Sequence, residues 1–86
     1  AYTEDQIVRI ARFAFALARG RRGRVTSLDK ANVMEAGALW RQVVQALHED
    51  EFRDVALEHM LADSFAFRLA MQPARFDVVL TDNLFG

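Results

Sequence analysis

Apolar positions along the chain repeat in two rhythms, and the rhythm changes at regular intervals. Ile7, Ile10, Ala11, Ala14, Leu17 and Ala18 recur at helical spacing. Thr3, followed by Glu4, Asp5 and Gln6, has the form of a capping box with acids in the first turn, and Gly20 is a natural stop. Phe13 and Phe15 lie off that stripe, so they are expected to touch something beyond one sheet face. Val25 to Leu28 reads as a short strand. A second helix is predicted from about Met34 to His48, with Ala36, Leu39, Trp40, Val43, Val44 and Leu47 stepping by three and four. Trp40 is then a core or interface anchor, and the acidic turn His48-Glu49-Asp50-Glu51 ends the helix.

Val55 to His59 carries the next strand. A shorter helix spans about Ala62 to Met71 and is stopped by Pro73. Phe76 to Leu80 reads as a buried strand, since Val78, Val79 and Leu80 in succession suit a strand covered on both faces. The order α-β-α-β-α-β with short connections implies right-handed crossovers and an α/β fold with three mainly parallel strands.

Composition narrows the function. The chain has 86 residues, 52% of them hydrophobic and 27% charged, which describes at most one small globular domain. A net charge of −1 gives no whole-chain attraction for nucleic acid or an anionic membrane. The sequence lacks cysteine, which fits a reducing, cytoplasmic setting, and no apolar run approaches the ~20 residues of a membrane span. With no initiating Met and a last strand that needs a covering layer, residues 1–86 are read as the central part of a larger chain.

Chemistry is expected where such a sheet gathers ligands, outside the carboxyl ends of its strands. Asp29, Lys30 and Asn32 follow the first strand, Asp63 follows the second, and Asp82 and Asn83 follow the third. Lys30 is the only lysine among 11 basic residues; unlike arginine, a partly buried lysine can trade a proton. From composition alone, chance explains it equally well. Asp63, at the start of a helix, reads by default as an N-terminal cap. His59 reads as a hydrogen-bonded structural residue, having no second His or Cys at ligand spacing. The basic loop Arg19-Gly20-Arg21-Arg22-Gly23-Arg24 reads as a solvated connection because no aromatics are interleaved with it. The acids of residues 49–51 are adjacent in sequence and do not converge on a metal.

Three motifs carry a resemblance. Val25-Thr26-Ser27-Leu28-Asp29-Lys30-Ala31-Asn32-Val33 and the residues up to Arg41 resemble the catalytic-lysine segment of 3-isopropylmalate dehydrogenases. The likeness continues through residues 54–63 and ends in Arg75-Phe76-Asp77-Val78-Val79 and Asn83-Leu84-Phe85-Gly86. That family, the β-decarboxylating dehydrogenases, also includes isocitrate, homoisocitrate and tartrate/D-malate enzymes. The resemblance implies an NAD-dependent oxidative decarboxylation of a 2-hydroxy acid, 3-isopropylmalate in leucine biosynthesis. Lys30 matches the lysine that moves the substrate hydroxyl proton. Asn32 matches the residue beside the nicotinamide and substrate, and Asp63 matches a ligand to Mg²⁺ or Mn²⁺ that also meets substrate. The family shares its lysine and this aspartate across a homodimer interface. Its substrate-binding arginines and catalytic tyrosine lie upstream, so Tyr2 is not nominated; a second metal-binding aspartate lies past Gly86. Residues 1–86 alone are expected to be inactive. Asp29 and Leu39-Trp40-Arg41 favour isopropylmalate or tartrate/D-malate enzymes over isocitrate ones. A non-catalytic dimerisation module is the competing class.

Overall fold

The computed structural model describes residues 3–29 and 34–81, with residues 34–37 described by backbone alone. Helix α1 spans Glu4–Arg19. The capping box forms as predicted: Thr3 Oγ1 accepts the Gln6 N–H at 3.3 Å and Gln6 Oε1 accepts the Thr3 N–H at 3.0 Å. Gly20 ends the helix with an ordinary negative φ, and it is Gly23, at φ +74°, that uses the left-handed region closed to most side chains. The Gly23 N–H then returns to the Ala18 carbonyl at 2.8 Å.

The buried stripe of α1 is Ile7, Ala11, Ala14, Phe15 and Ala18. Leu17, predicted inward, is exposed, while Phe15, predicted off the stripe, is fully buried. The physical reason lies on the second helix, α2 (Met34–Glu51). Just beyond its end, Phe52 stacks on Phe15 with ring centroids 5.1 Å apart, and His48 closes the other side at 5.7 Å. That aromatic shelf rotates α1 by part of a turn. Phe13 remains 71% exposed.

Helix α2 runs through the acidic turn expected to end it. Acids at a helix C-terminus oppose the macrodipole, and arginines offset them. Arg12 pairs with Glu51, Arg19 donates to the Glu51 carbonyl and to Asp54, and Arg53 donates to the Glu49 carbonyl. Trp40, Val43, Val44 and Leu47 are buried as predicted, but Leu39 faces outward. Ala36 lies outside the described side chains.

Three parallel strands form one sheet in the order β2-β1-β3: β1 is Arg24–Asp29, β2 Ala56–Leu61 and β3 Val78–Leu80. Register pairs Asp29 with Leu61, and Ser27 with His59 and Leu80. Strand β1 extends one residue past each predicted end, β2 starts one residue later than predicted and runs on to Leu61, and β3 is shorter, beginning at Val78 after the Pro73–Arg75 3-10 turn. Helices α1 and α2 pack on each other and on one sheet face, sealing a single apolar core. Helix α3 (Ala62–Met71) lies on the opposite face, touching β2, β1 and the 3-10 turn but neither other helix. None of its residues is buried, and Val79 of β3 is exposed on the same side. The expectation of a strand covered on both faces is therefore corrected: among the described residues, only one face is fully covered.

Candidate functional site

Parallel pairing brings the carboxyl ends of all three strands to one edge. Asp29 is the last residue of β1, Leu61 of β2 and Leu80 of β3. Asp29, the residue before Lys30 in sequence, therefore lies beside Leu61, which leads into α3 and its Asp63. Lys30 and Asn32 themselves lie outside the described residues, as do Tyr2, Asp82 and Asn83.

Asp63 is exposed in the first turn of α3. Its default reading as a helix cap does not hold. The cap position belongs to Leu61, two residues earlier, and no side chain caps the helix. Its carboxylate makes no hydrogen bond or ion pair among the described residues and stands in an open groove with Glu58, Met60, Ser64, Phe67, Arg68 and Arg75. Of these, Glu58 is already bound to Arg75. The acid of α3 is thus chemically uncommitted, and hard carboxylate oxygens of this kind suit Mg²⁺ or Mn²⁺. Among the described residues, no group of three or more His, Cys, Asp or Glu converges on one point. Asp63 fits a divalent ion only as one donor of a larger set.

Asp29, nominated by sequence as part of an open polar edge, turns inward instead. Its Oδ2 forms an ion pair with the Arg41 guanidinium at 3.0 Å. His59 behaves as a structural histidine on one side: its Nε2 lies 3.0 Å from the Gln45 amide oxygen. His48 Nε2–H donates to the Val55 carbonyl at 2.6 Å, tying the end of α2 to the entry of β2.

The basic loop lies at the opposite, amino-terminal edge and is structural. Arg21 donates to Asp77 at 2.9 Å, the Arg22 backbone donates to the same carboxylate, and the Arg22 guanidinium holds the carbonyls of Ala74 and Phe76. Arg21, with the backbone N–H groups of Arg22 and Arg24, holds the Asp77 carboxyl below its ordinary value. The loop grips the segment that leads into β3.

Comparison with known proteins decides the lineage. The family model for isocitrate/isopropylmalate dehydrogenase matches residues 1–86. The chain belongs to this family. Within it, the chain is 58% identical over 86 residues to the 3-isopropylmalate dehydrogenase of Pelagibacter ubique, covering 100% of the chain and 23% of that relative. It is 59% identical over 85 residues to 3-isopropylmalate dehydrogenase 1 of Bordetella bronchiseptica, covering 99% of the chain and 23% of the relative. Two solved isocitrate/isopropylmalate dehydrogenase-type structures share the fold. The β-decarboxylating dehydrogenase of Thermococcus kodakarensis superposes with a TM-score of 0.86 at 32% identity, over 100% of this chain and 25% of that one. The isocitrate dehydrogenase of Methylococcus capsulatus gives 0.87 at 33% identity, over 99% and 25%. The chain spans about a quarter of the length of the relatives it matches.

Proposed function

We propose that a full-length chain carrying these residues is an NAD-dependent, divalent-metal-dependent 3-isopropylmalate dehydrogenase, oxidising and decarboxylating its substrate to 2-oxoisocaproate. The observation that carries this reading is 58% identity, along the whole chain, to a relative of that name. Residues 1–86 would form a central, dimer-forming part of the enzyme.

Lys30 would take the proton of the substrate's 2-hydroxyl, a role open to a titratable amine and closed to arginine. Asn32 would stand against the nicotinamide and substrate. Asp63 would hold the divalent ion and meet the substrate. NAD would supply the hydride acceptor, and a divalent ion held in part by Asp63 would supply Lewis acidity towards the substrate's oxygens. Lys30 and Asp63 would reach the partner's site across a homodimer interface. The uncovered apolar face of α3, with Phe67 and Met71 about two-thirds exposed (65% and 66%), supports such an interface.

The deciding assay sets 3-isopropylmalate, tartrate and D-malate against the full-length protein with NAD and Mn²⁺. Turnover of isopropylmalate is expected to dominate. Preference for tartrate or D-malate would shift the reading to that branch of the family, and no turnover of any would favour a non-catalytic dimerisation module.

A further inference from the structure

Alternation along β1 turns Ser27 and Asp29 to one face of the sheet, and the register that pairs Ser27 with His59 brings His59 to the same face. Helix α2 meets all three. Trp40 donates its indole N–H to the Ser27 hydroxyl at 2.8 Å, Arg41 pairs with Asp29 Oδ2 at 3.0 Å, and Gln45 Oε1 lies 3.0 Å from His59 Nε2. Two atoms are left over. Asp29 is 7% exposed, and its Oδ1 is buried with no hydrogen-bond partner. His59 Nδ1 is buried and equally unmet.

Gln45 sets the protonation of His59. Its Oε1 is an acceptor, so Nε2 carries the ring hydrogen and the neutral imidazole leaves Nδ1 bare. The two unmet atoms are thus both acceptors, diagonal neighbours on one sheet face, and what they lack between them is one hydrogen. Their charges act on each other. Burial raises the Asp29 carboxyl above its ordinary value, with Arg41 and His59 pulling it back. Burial lowers the His59 imidazole, Asp29 raises it, and Arg41 and His48 lower it further. Among the described residues these are the charged and titratable groups that β1, β2 and α2 bring to the pair.

We propose that Asp29 and His59 form an acid-sensitive latch: in mild acid one proton from solvent is held between Asp29 Oδ1 and His59 Nδ1, and its uptake hands the end of β1 from α2 to β2. A carboxylate beside an imidazolium and a carboxylic acid beside a neutral imidazole are two forms of one hydrogen bond, so the proton belongs to the pair. In either form the charge of Asp29 is neutralised at His59 and its hold on Arg41 weakens. Arg41 is 54% exposed, so its guanidinium returns to water at little cost. Leu61, the register partner of Asp29, leads into α3, so the latch closes at the edge that carries Asp63. It does not depend on which reaction that edge serves.

The test is a pair of double-mutant cycles on the full-length protein, read by urea unfolding at pH ~8 and pH ~5.5. Coupling between Asp29→Asn and His59→Gln should be severalfold larger, as a ratio of unfolding constants, at the lower pH. Coupling between Asp29→Asn and Arg41→Gln should be severalfold smaller there. The single variant gives a second signature. A lowered His59 contributes stability that is present above the ordinary histidine value of ~6.5 and lost as pH falls through it, whereas a raised Asp29 contributes stability gained as pH falls through its raised value. Asp29→Asn removes the gain, so it should lose stability more steeply between the two pH values than the unsubstituted protein. Couplings that do not change with pH would overturn the latch. So would a His59 ring signal, followed by NMR in isotope-labelled protein, whose titration midpoint Asp29→Asn fails to move to lower pH. Should Asp29→Asn fail to fold, the same signal in Arg41→Gln should titrate at higher pH, since a repelling charge is gone, and an unmoved midpoint there would overturn the latch.

Discussion

At the scale of the residue, the most informative group is an acid with nothing to do. Asp63 sits inside the first turn of α3, where its charge suits the helix dipole, yet it caps nothing and pairs with nothing among the described residues. Asn in its place would cost the helix a few tenths of a kcal/mol at most, within the ~0.3–1 kcal/mol of a dipole interaction. A metal ligand would lose far more. In the full-length enzyme, Asp63→Asn should therefore raise the Mn²⁺ concentration needed for half-maximal activity by about tenfold or more, within the range of metal-site lesions. The melting temperature without metal should barely move, and titration of activity against Mn²⁺ beside thermal melts checks both.

Asp77 gives the opposite case, a carboxylate wholly committed. Its pKa is depressed in the folded chain, chiefly by Arg21, so its contribution to stability is present above the ordinary carboxylate value of ~3.9. That contribution is lost as pH falls through the depressed value. Asp77→Asn should lower stability at pH 7 and flatten its decline below pH ~4, measured by urea unfolding across that range.

At the scale of the element, α3 carries the clearest unmet need. Phe65 leans on Phe76 with centroids 5.0 Å apart, but Phe67, Leu69 and Met71 point to solvent. A helix apolar on nearly every side is at home only inside something larger. Phe67→Lys should leave the secondary structure of the full-length protein intact while shifting it from dimer towards monomer, as sedimentation velocity would read. An unchanged dimer would remove α3 from the interface.

The elements also show where sequence was legible. The capping box, the length of α3 and the core role of Trp40 follow from local spacing, which the chain obeys wherever one partner lies directly beneath. Phe15, Leu17 and Leu39 escaped because periodicity says that a stripe exists, not how far a second helix rotates it. The extension of α2 through Glu51 escaped because arginines on α1, 32 to 39 residues away in sequence, support it. Asp29 was legible as a polar residue at a strand end but not as a buried one, since its Arg41 partner becomes a neighbour only once α2 folds back. The edge that carries the end of β1, the start of α3 with Asp63 and the end of β3 was legible because parallel order alone dictates it.

At the scale of the whole molecule, a shared active site has a simple signature. If Lys30 and Asp63 both serve the partner's site, a Lys30→Met subunit and an Asp63→Asn subunit each send their lesion across the interface. A mixed dimer then carries one lesion in each of its two sites. Mixing the two weak mutants should therefore restore no activity, subunit exchange being demonstrated by mass. Recovery of up to about half of one dimer's activity would show that the two residues of one site come from different subunits, and would overturn their joint crossing of the interface.

The strand order β2-β1-β3 also sets a timetable. The central strand is made first, and Val25 must wait for Val78, 53 positions later, to cover its second edge. At ribosomal speeds of ~5–20 residues per second, the gap lasts roughly 3–10 s. During that interval β1 can pair with β2 while a row of unbonded amides and carbonyls stays open along its other side, ready to recruit a strand from a neighbouring nascent chain. Parallel topology so turns a static feature of the sheet into a vulnerable moment of synthesis, and β3, only three residues long, is what closes it.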